Sequence, residues 1–221
     1  MKRLWILLAA CSMGCAAADT DLRRDGAEAL PFYRTLELTP EWIESDAPEY
    51  ESIHRVGAFA LTDQHGSAVT AADLEGGLTV ANFFFTMCVE ICPPTRGNLE
   101  RVRAAFQGDE RLTLVSHSVM PDVDTADRLD MYAHQHGIDA DGWHLLTGDA
   151  EQIFALAEQS YLVDLHDGSG YSVASLAHTE NVMLLDAALR IRGVYNGTLA
   201  MDVNRLIEDI GVLLTEMGER E

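Results

Sequence analysis

The 221-residue chain has room for one domain with appendages, and 48% of its residues are hydrophobic, an ordinary share for a globular protein. Its formal net charge is −21, from 36 acidic against 15 basic side chains, with Lys2 the only lysine. Such a surface repels phosphate backbones and argues against nucleic acid as a partner; the acidity serves solubility, with docking of basic partners as the second use.

At the N-terminus, Lys2 and Arg3 precede the apolar stretch LWILLAA and then Cys11, the charged start, short apolar core and small-residue cleavage site of an export signal. The stretch is too short to span a membrane. Leu8-Ala9-Ala10-Cys11 resembles a bacterial lipobox, which implies cleavage before Cys11 and a lipid anchor on its thiol; an ordinary signal peptide is the alternative. The expected organisation is a leader over 1–10, a tether over 11–30, one domain over 31–217 and a tail over 218–221. The domain is expected outside the cytoplasm, in the periplasm or beyond, held to a bacterial membrane only by lipid.

Within the domain, LPFYRTLELTPEWIES carries apolar anchors and two prolines and reads as an extended arm over the surface. GAFALTDQHGSAVT reads as a hairpin turning at Gly66. LTVANFFF is a continuous apolar run of the length of a strand covered on both faces. Pro93 and Pro94 suit a helix start, with Leu99, Val102 and Phe106 following at helical spacing. LTLVSHS is the next strand, TADRLDMYAHQHG a helix ended by Gly137, and DAEQIFALAEQS a helix capped by Asp149. VMLLD and RIRGVYNG are two strands around a turn, and Val203, Leu206, Ile207, Ile210, Leu213, Leu214 and Met217 form the apolar stripe of a last helix. The expected fold class is α/β, an open sheet with helices on both faces, an N-terminal extension and an inserted loop, LHDGSGYSVASLAHT, of the kind that carries function.

Cys88 and Cys92 are the only cysteines of the folded region. They stand between a buried strand and a helix start, where unpaired N–H groups and the helix dipole favour thiolate. The spacing C-x-x-x-C is one residue longer than the usual redox motif, C-x-x-C; it closes a disulfide or places two sulfurs one helical turn apart for a metal. A third ligand would decide between redox exchange and metal binding. His134 and His136 diverge on a helix, and His54, His65, His144 and His166 have no ligand-spaced partner. His117 and His178 each sit at a strand boundary, where open α/β sheets gather their site residues.

TMCVEICPPTRGNLERV resembles the metal loop and following helix of the Sco/SenC family of copper-binding cytochrome c oxidase assembly proteins, which have a thioredoxin-like fold. LPFYRTLELTPEWI, SHSVMPDVDTADRLDMYA, WHLLTGD and HTENVMLLDAALRIRGVYNGT resemble further segments of that family, so the likeness runs over most of residues 31–214. It implies a thioredoxin-like central sheet and one copper, as Cu(I) or Cu(II), held by Cys88, Cys92 and His178. It also implies delivery to the CuA-bearing subunit of cytochrome c oxidase, or reduction of that centre's cysteines, with other copper chaperones or thiol reductants as further partners. Closure and opening of the histidine loop would then hold and release the ion.

Three positions depart from the family pattern: Val89 stands where proline is common, Met87 where a polar residue is frequent, and Met120 in place of the first acid of D-P-x-x-D-T, whereas Asp124 is retained. Met87 and Met120 are soft side chains, either auxiliary ligands or gap fillers. The turn LAHTEN has histidine where thiol-exchange enzymes of this fold place proline, which favours metal holding. The alternative function is a metal-free periplasmic thiol-disulfide oxidoreductase in which Cys88 and Cys92 are the redox-active pair. Peroxide reduction and a zinc site are more distant readings.

Overall fold

The computed structural model of the chain describes residues 29–138, 142–165 and 179–218. A two-stranded antiparallel hairpin comes first, β1 (Ala60–Thr62) with β2 (Ala68–Thr70), and Gly66 at φ +77° supplies the left-handed residue that its turn requires. The main sheet follows: β3 (Leu78–Phe84), β4 (Leu112–Ser118), β5 (Trp143–Leu146), β6 (Asn181–Leu185) and β7 (Ile191–Asn196), in the spatial order β5-β4-β3-β6-β7. β3, β4 and β5 are parallel, and β6 and β7 close the sheet as an antiparallel pair on the other side of β3.

Parallel neighbours need crossovers, supplied by α1 (Cys92–Ala105) between β3 and β4 and α2 (Ala126–His136) between β4 and β5. Two successive right-handed crossovers moving the same way along a sheet lie on one face. Accordingly Leu99 and Val102 of α1, and Leu129 and Ala133 of α2, pack in one core layer with Val203, Leu206, Ile210 and Leu213 of the last helix, α4 (Ala200–Gly218). The opposite face is covered by α3 (Ala150–Gln159), the hairpin and residues 161–165. Local chemistry ends the helices where the sequence reading places the signals: Asp149 accepts from the Gln152 N–H at 2.8 Å, and Gly137 terminates α2 at φ +66°.

The N-terminal arm folds back on itself through a Phe32–Glu41 bridge, and the Tyr33 N–H donates to the Ile191 carbonyl at the β7 edge. Arg192 grips it with donors to the Leu30 and Pro31 carbonyls at 2.6 and 3.1 Å, its guanidinium 4.2 Å from the Phe32 ring centre. Leu30, at the end of the segment read from sequence as tether, is buried in the core. The C-terminal ends of β3 and β4 and the N-terminal end of β6 open on one edge, where sheets of this class place their sites.

Candidate metal centre

All seven residues of β3 are buried, and the chain leaves the sheet at Phe84 to reach Cys88 and then α1, whose first residue is Cys92 itself. A helix start leaves backbone N–H groups without intrahelical acceptors. Ile91, the N-cap, offers no side-chain acceptor; the Cys92 N–H points at the Cys88 sulfur instead, at 3.2 Å. That contact gives one of the leftover N–H groups of the helix start an acceptor. Both thiols are free; Cys88 is partly exposed and Cys92 is 5% exposed. Burial, and after it the hydrogen bond with Cys88, pushes the Cys92 thiol up to about 12, so without a metal it stays protonated at neutral pH.

A buried carboxylate holds the loop from behind. Asp124 is 1% exposed and accepts from the Thr86 N–H at 3.0 Å, the Thr86 hydroxyl at 2.5 Å and the Ser118 hydroxyl at 2.6 Å. Arg128 donates to Thr86 Oγ1 at 2.8 Å and lies 3.6 Å from the same carboxylate. A charge taken from water needs such a full set of partners. The set joins three segments, the residues before Cys88, the end of β4 and the start of α2. Asp124 matches the family pattern in sequence, but its pairing with Thr86, 38 residues away, leaves no local signal.

The other sequence candidates separate clearly. His117 is wholly buried on the face of the sheet opposite the thiols, between Phe59, Phe83 and Tyr161, with Nε2 3.1 Å from the Tyr161 hydroxyl. Burial lowers it to about 3, and its Nδ1 has no partner among the described residues. It is a core histidine, not a ligand. His54 Nε2 lies 2.9 Å from the Ser160 carbonyl, and His144 Nδ1 3.2 Å from Asp63. Met120 packs into the core layer that holds His117, away from the thiols, which makes it a gap filler, while Met87 and Val89 are exposed on the loop. His178 and Cys11 lie outside the described residues, as do the leader, most of the tether and His166.

Among the described residues, no three His, Cys, Asp or Glu side chains gather as a metal site, so the described donors are the two thiols. The backbone nevertheless brings the segment after residue 178 to them. β6 runs antiparallel to β3 with Val182 opposite Asn82, the Glu180 carbonyl accepts from the Gly197 N–H at 2.7 Å, and Thr179 lines the same small cavity as Cys92. Gly197 is required there, since a β-carbon would lie 2.6 Å from Val182 and 2.9 Å from Thr95 of α1.

Comparison with known proteins places these features in a wider set. The sequence model of the family described as SCO1/SenC matches residues 47–215. The SCO1 protein homolog of Bacillus subtilis (strain 168) is 25% identical over 161 residues, covering 71% of this chain and 81% of that protein. A solved SCO1/SenC family lipoprotein from Bacillus anthracis str. Ames is 27% identical, with a TM-score of 0.63 over 73% of this chain and 95% of its own. ScoI of Bradyrhizobium japonicum, solved with copper bound, is 28% identical, with a TM-score of 0.54 over 68% of this chain and 98% of that one. The α/β fold expected from the sequence, a thioredoxin-like central sheet flanked by helices, is the one shared with these structures.

Proposed function

The chain belongs to the SCO1/SenC family, and from that premise we propose that it is a copper metallochaperone for the CuA centre of a cytochrome c oxidase, carrying one copper on Cys88, Cys92 and His178. The observation that carries this reading is the pair of free thiols one helical turn apart, one capping the helix that the other begins. Two thiolates and an imidazole are a soft, low-coordinate set that suits Cu(I) and also holds Cu(II). Support for the third ligand comes from chain path: the segment after residue 178 enters the sheet beside the cavity that Cys92 lines. Release of the imidazole leaves a two-thiolate ion open to a partner's ligands. The relative of known structure with copper bound adds to this reading. A lipid on Cys11 would hold the domain at a bacterial membrane, outside the cytoplasm.

Copper titration of the reduced protein tests the proposal. One equivalent should bind with a thiolate-to-Cu(II) charge-transfer band, and His178→Ala should abolish tight binding while the dithiol stays oxidisable. Unchanged copper retention in that variant overturns the ligand set. The second reading, a metal-free thiol-disulfide oxidoreductase, draws on the asymmetry of the pair, with Cys88 reachable and Cys92 buried behind it. It predicts brisk turnover of a mixed-disulfide substrate by His178→Ala with copper chelated.

A further inference from the structure

Asn82 breaks the apolar run of β3 with a side chain that is 6% exposed. Its orientation follows from the donors around it. The indole N–H of Trp143 only donates, and it points at Ser116 Oγ at 3.0 Å, while the Ser116 hydroxyl donates to Asn82 Oδ1 at 2.6 Å. The amino group of Asn82 is the end left over. One of its hydrogens points at the Phe83 carbonyl at 3.3 Å, a long contact, and the other has no acceptor among the described residues.

Beside this amide lies a cavity bounded by Asn82, Ser116, Cys92, Thr95, Tyr132 and Thr179, with about 20 Å³ open to the centre of a water molecule. About 10–15 Å³ by the same measure is enough for one water, provided that it finds polar partners. We propose that this cavity is the site of one ordered water that accepts from Asn82 Nδ2 and donates to the sulfur of Cys92. Trp143, Ser116, Asn82 and the water then form a chain of oriented donors that ends on a sulfur of the working pair. A hydrogen bond of this kind stabilises negative charge on the sulfur over its protonated form, and groups behind a ligand tune metal sites in general. An amide delivers it without adding a negative charge beside the sulfur. The inference rests on the reading of Cys88 and Cys92 as the working pair.

A high-resolution crystal structure of the reduced protein should show the water within hydrogen-bonding distance of both Asn82 Nδ2 and Cys92 Sγ. A dry cavity, or a water that does not reach the sulfur, overturns the proposal. In solution, Asn82→Leu fills the space with an apolar group. Its dithiol-disulfide midpoint potential should move to more negative values, its charge-transfer band should shift, and its copper affinity should fall by about 10- to 100-fold. Asn82→Thr, which keeps a hydroxyl donor, should recover most of each change, a recovery that a purely structural role would not produce. Should Asn82→Leu fail to fold, Ser116→Ala releases the amide's orientation and should move the potential in the same direction; an unmoved potential in a folded variant overturns the proposal. The crystal structure and the midpoint potential need no copper, so their success in a protein that binds none would end the chaperone reading and leave this inference standing.

Discussion

Asp124 and His117 are both shut off from solvent near the end of β4, yet the fold treats them in opposite ways. Asp124 faces the thiol loop and is surrounded by donors: a backbone N–H, two hydroxyls and a guanidinium. His117 faces the other core layer, among aromatic rings, with one hydrogen-bonded nitrogen and one bare. The difference teaches where the chain invests polar partners. On the face that carries the two thiols, a buried carboxylate is kept and pins a loop; on the other, a titratable ring is held neutral as packing.

The contrast breaks most visibly if Asp124 is removed. Asp124→Ala leaves the Thr86 N–H and the Thr86 and Ser118 hydroxyls without their acceptor, and each buried donor left unsatisfied costs about 1–3 kcal/mol, a loss that urea denaturation should register. The Thr86 amide should also exchange faster with solvent, as the loop before Cys88 loosens. An effect below about 1 kcal/mol would mean that the loop is held by packing alone.

The next largest effect lies on the other side of the sheet. His117 sits at about 3 when folded and 6.5 when free, so between those values the unfolded chain binds more protons and stability falls as pH drops, levelling off below about 3. Each pH unit in that window costs about 1.4 kcal/mol. On lowering pH from 6.5 to 5, the natural protein should therefore lose about 2 kcal/mol more than His117→Phe. Equal losses in both proteins would show that His117 meets water or finds a partner for its charge. Smaller still is Thr86→Val, which removes one hydroxyl donor from Asp124 and should cost about 1–2 kcal/mol while leaving the strand intact. At the bottom of the scale, Val89→Ser on the exposed crest of the same loop, where Val89 is 84% accessible, should stay within about 0.5 kcal/mol.

Much of the architecture was legible along the chain because the signals are local. The apolar run before Cys88, the prolines after Cys92, the cap at Asp149 and the stripe of the last helix each report on residues a few positions away, and β3, α1, α3 and α4 lie where those signals put them. The candidate thiols were legible for the same reason. The two histidines at strand boundaries were not separable by such signals. Asp124 was visible as an acid but not as the anchor of Thr86. Asn82 sits inside an apolar run, and a polar residue in a strand covered on both faces signals that something specific lies against it.

Residue order along the chain is enough to place the elements and to set Cys88 and Cys92 between a buried strand and a helix start. Three-dimensional packing is needed to send His117 into the core, to bring Asp124 behind the loop, and to seat Asn82 at the same cavity as Cys92. The reason is the register of a parallel sheet: Phe83 is set beside His117 and Asn82 beside Ser116, and because side chains alternate across a strand, one residue of phase sends His117 to one face and its neighbours Ser116 and Ser118 to the other. No local pattern carries that phase. It exists only once α1 has carried the chain from β3 back to β4.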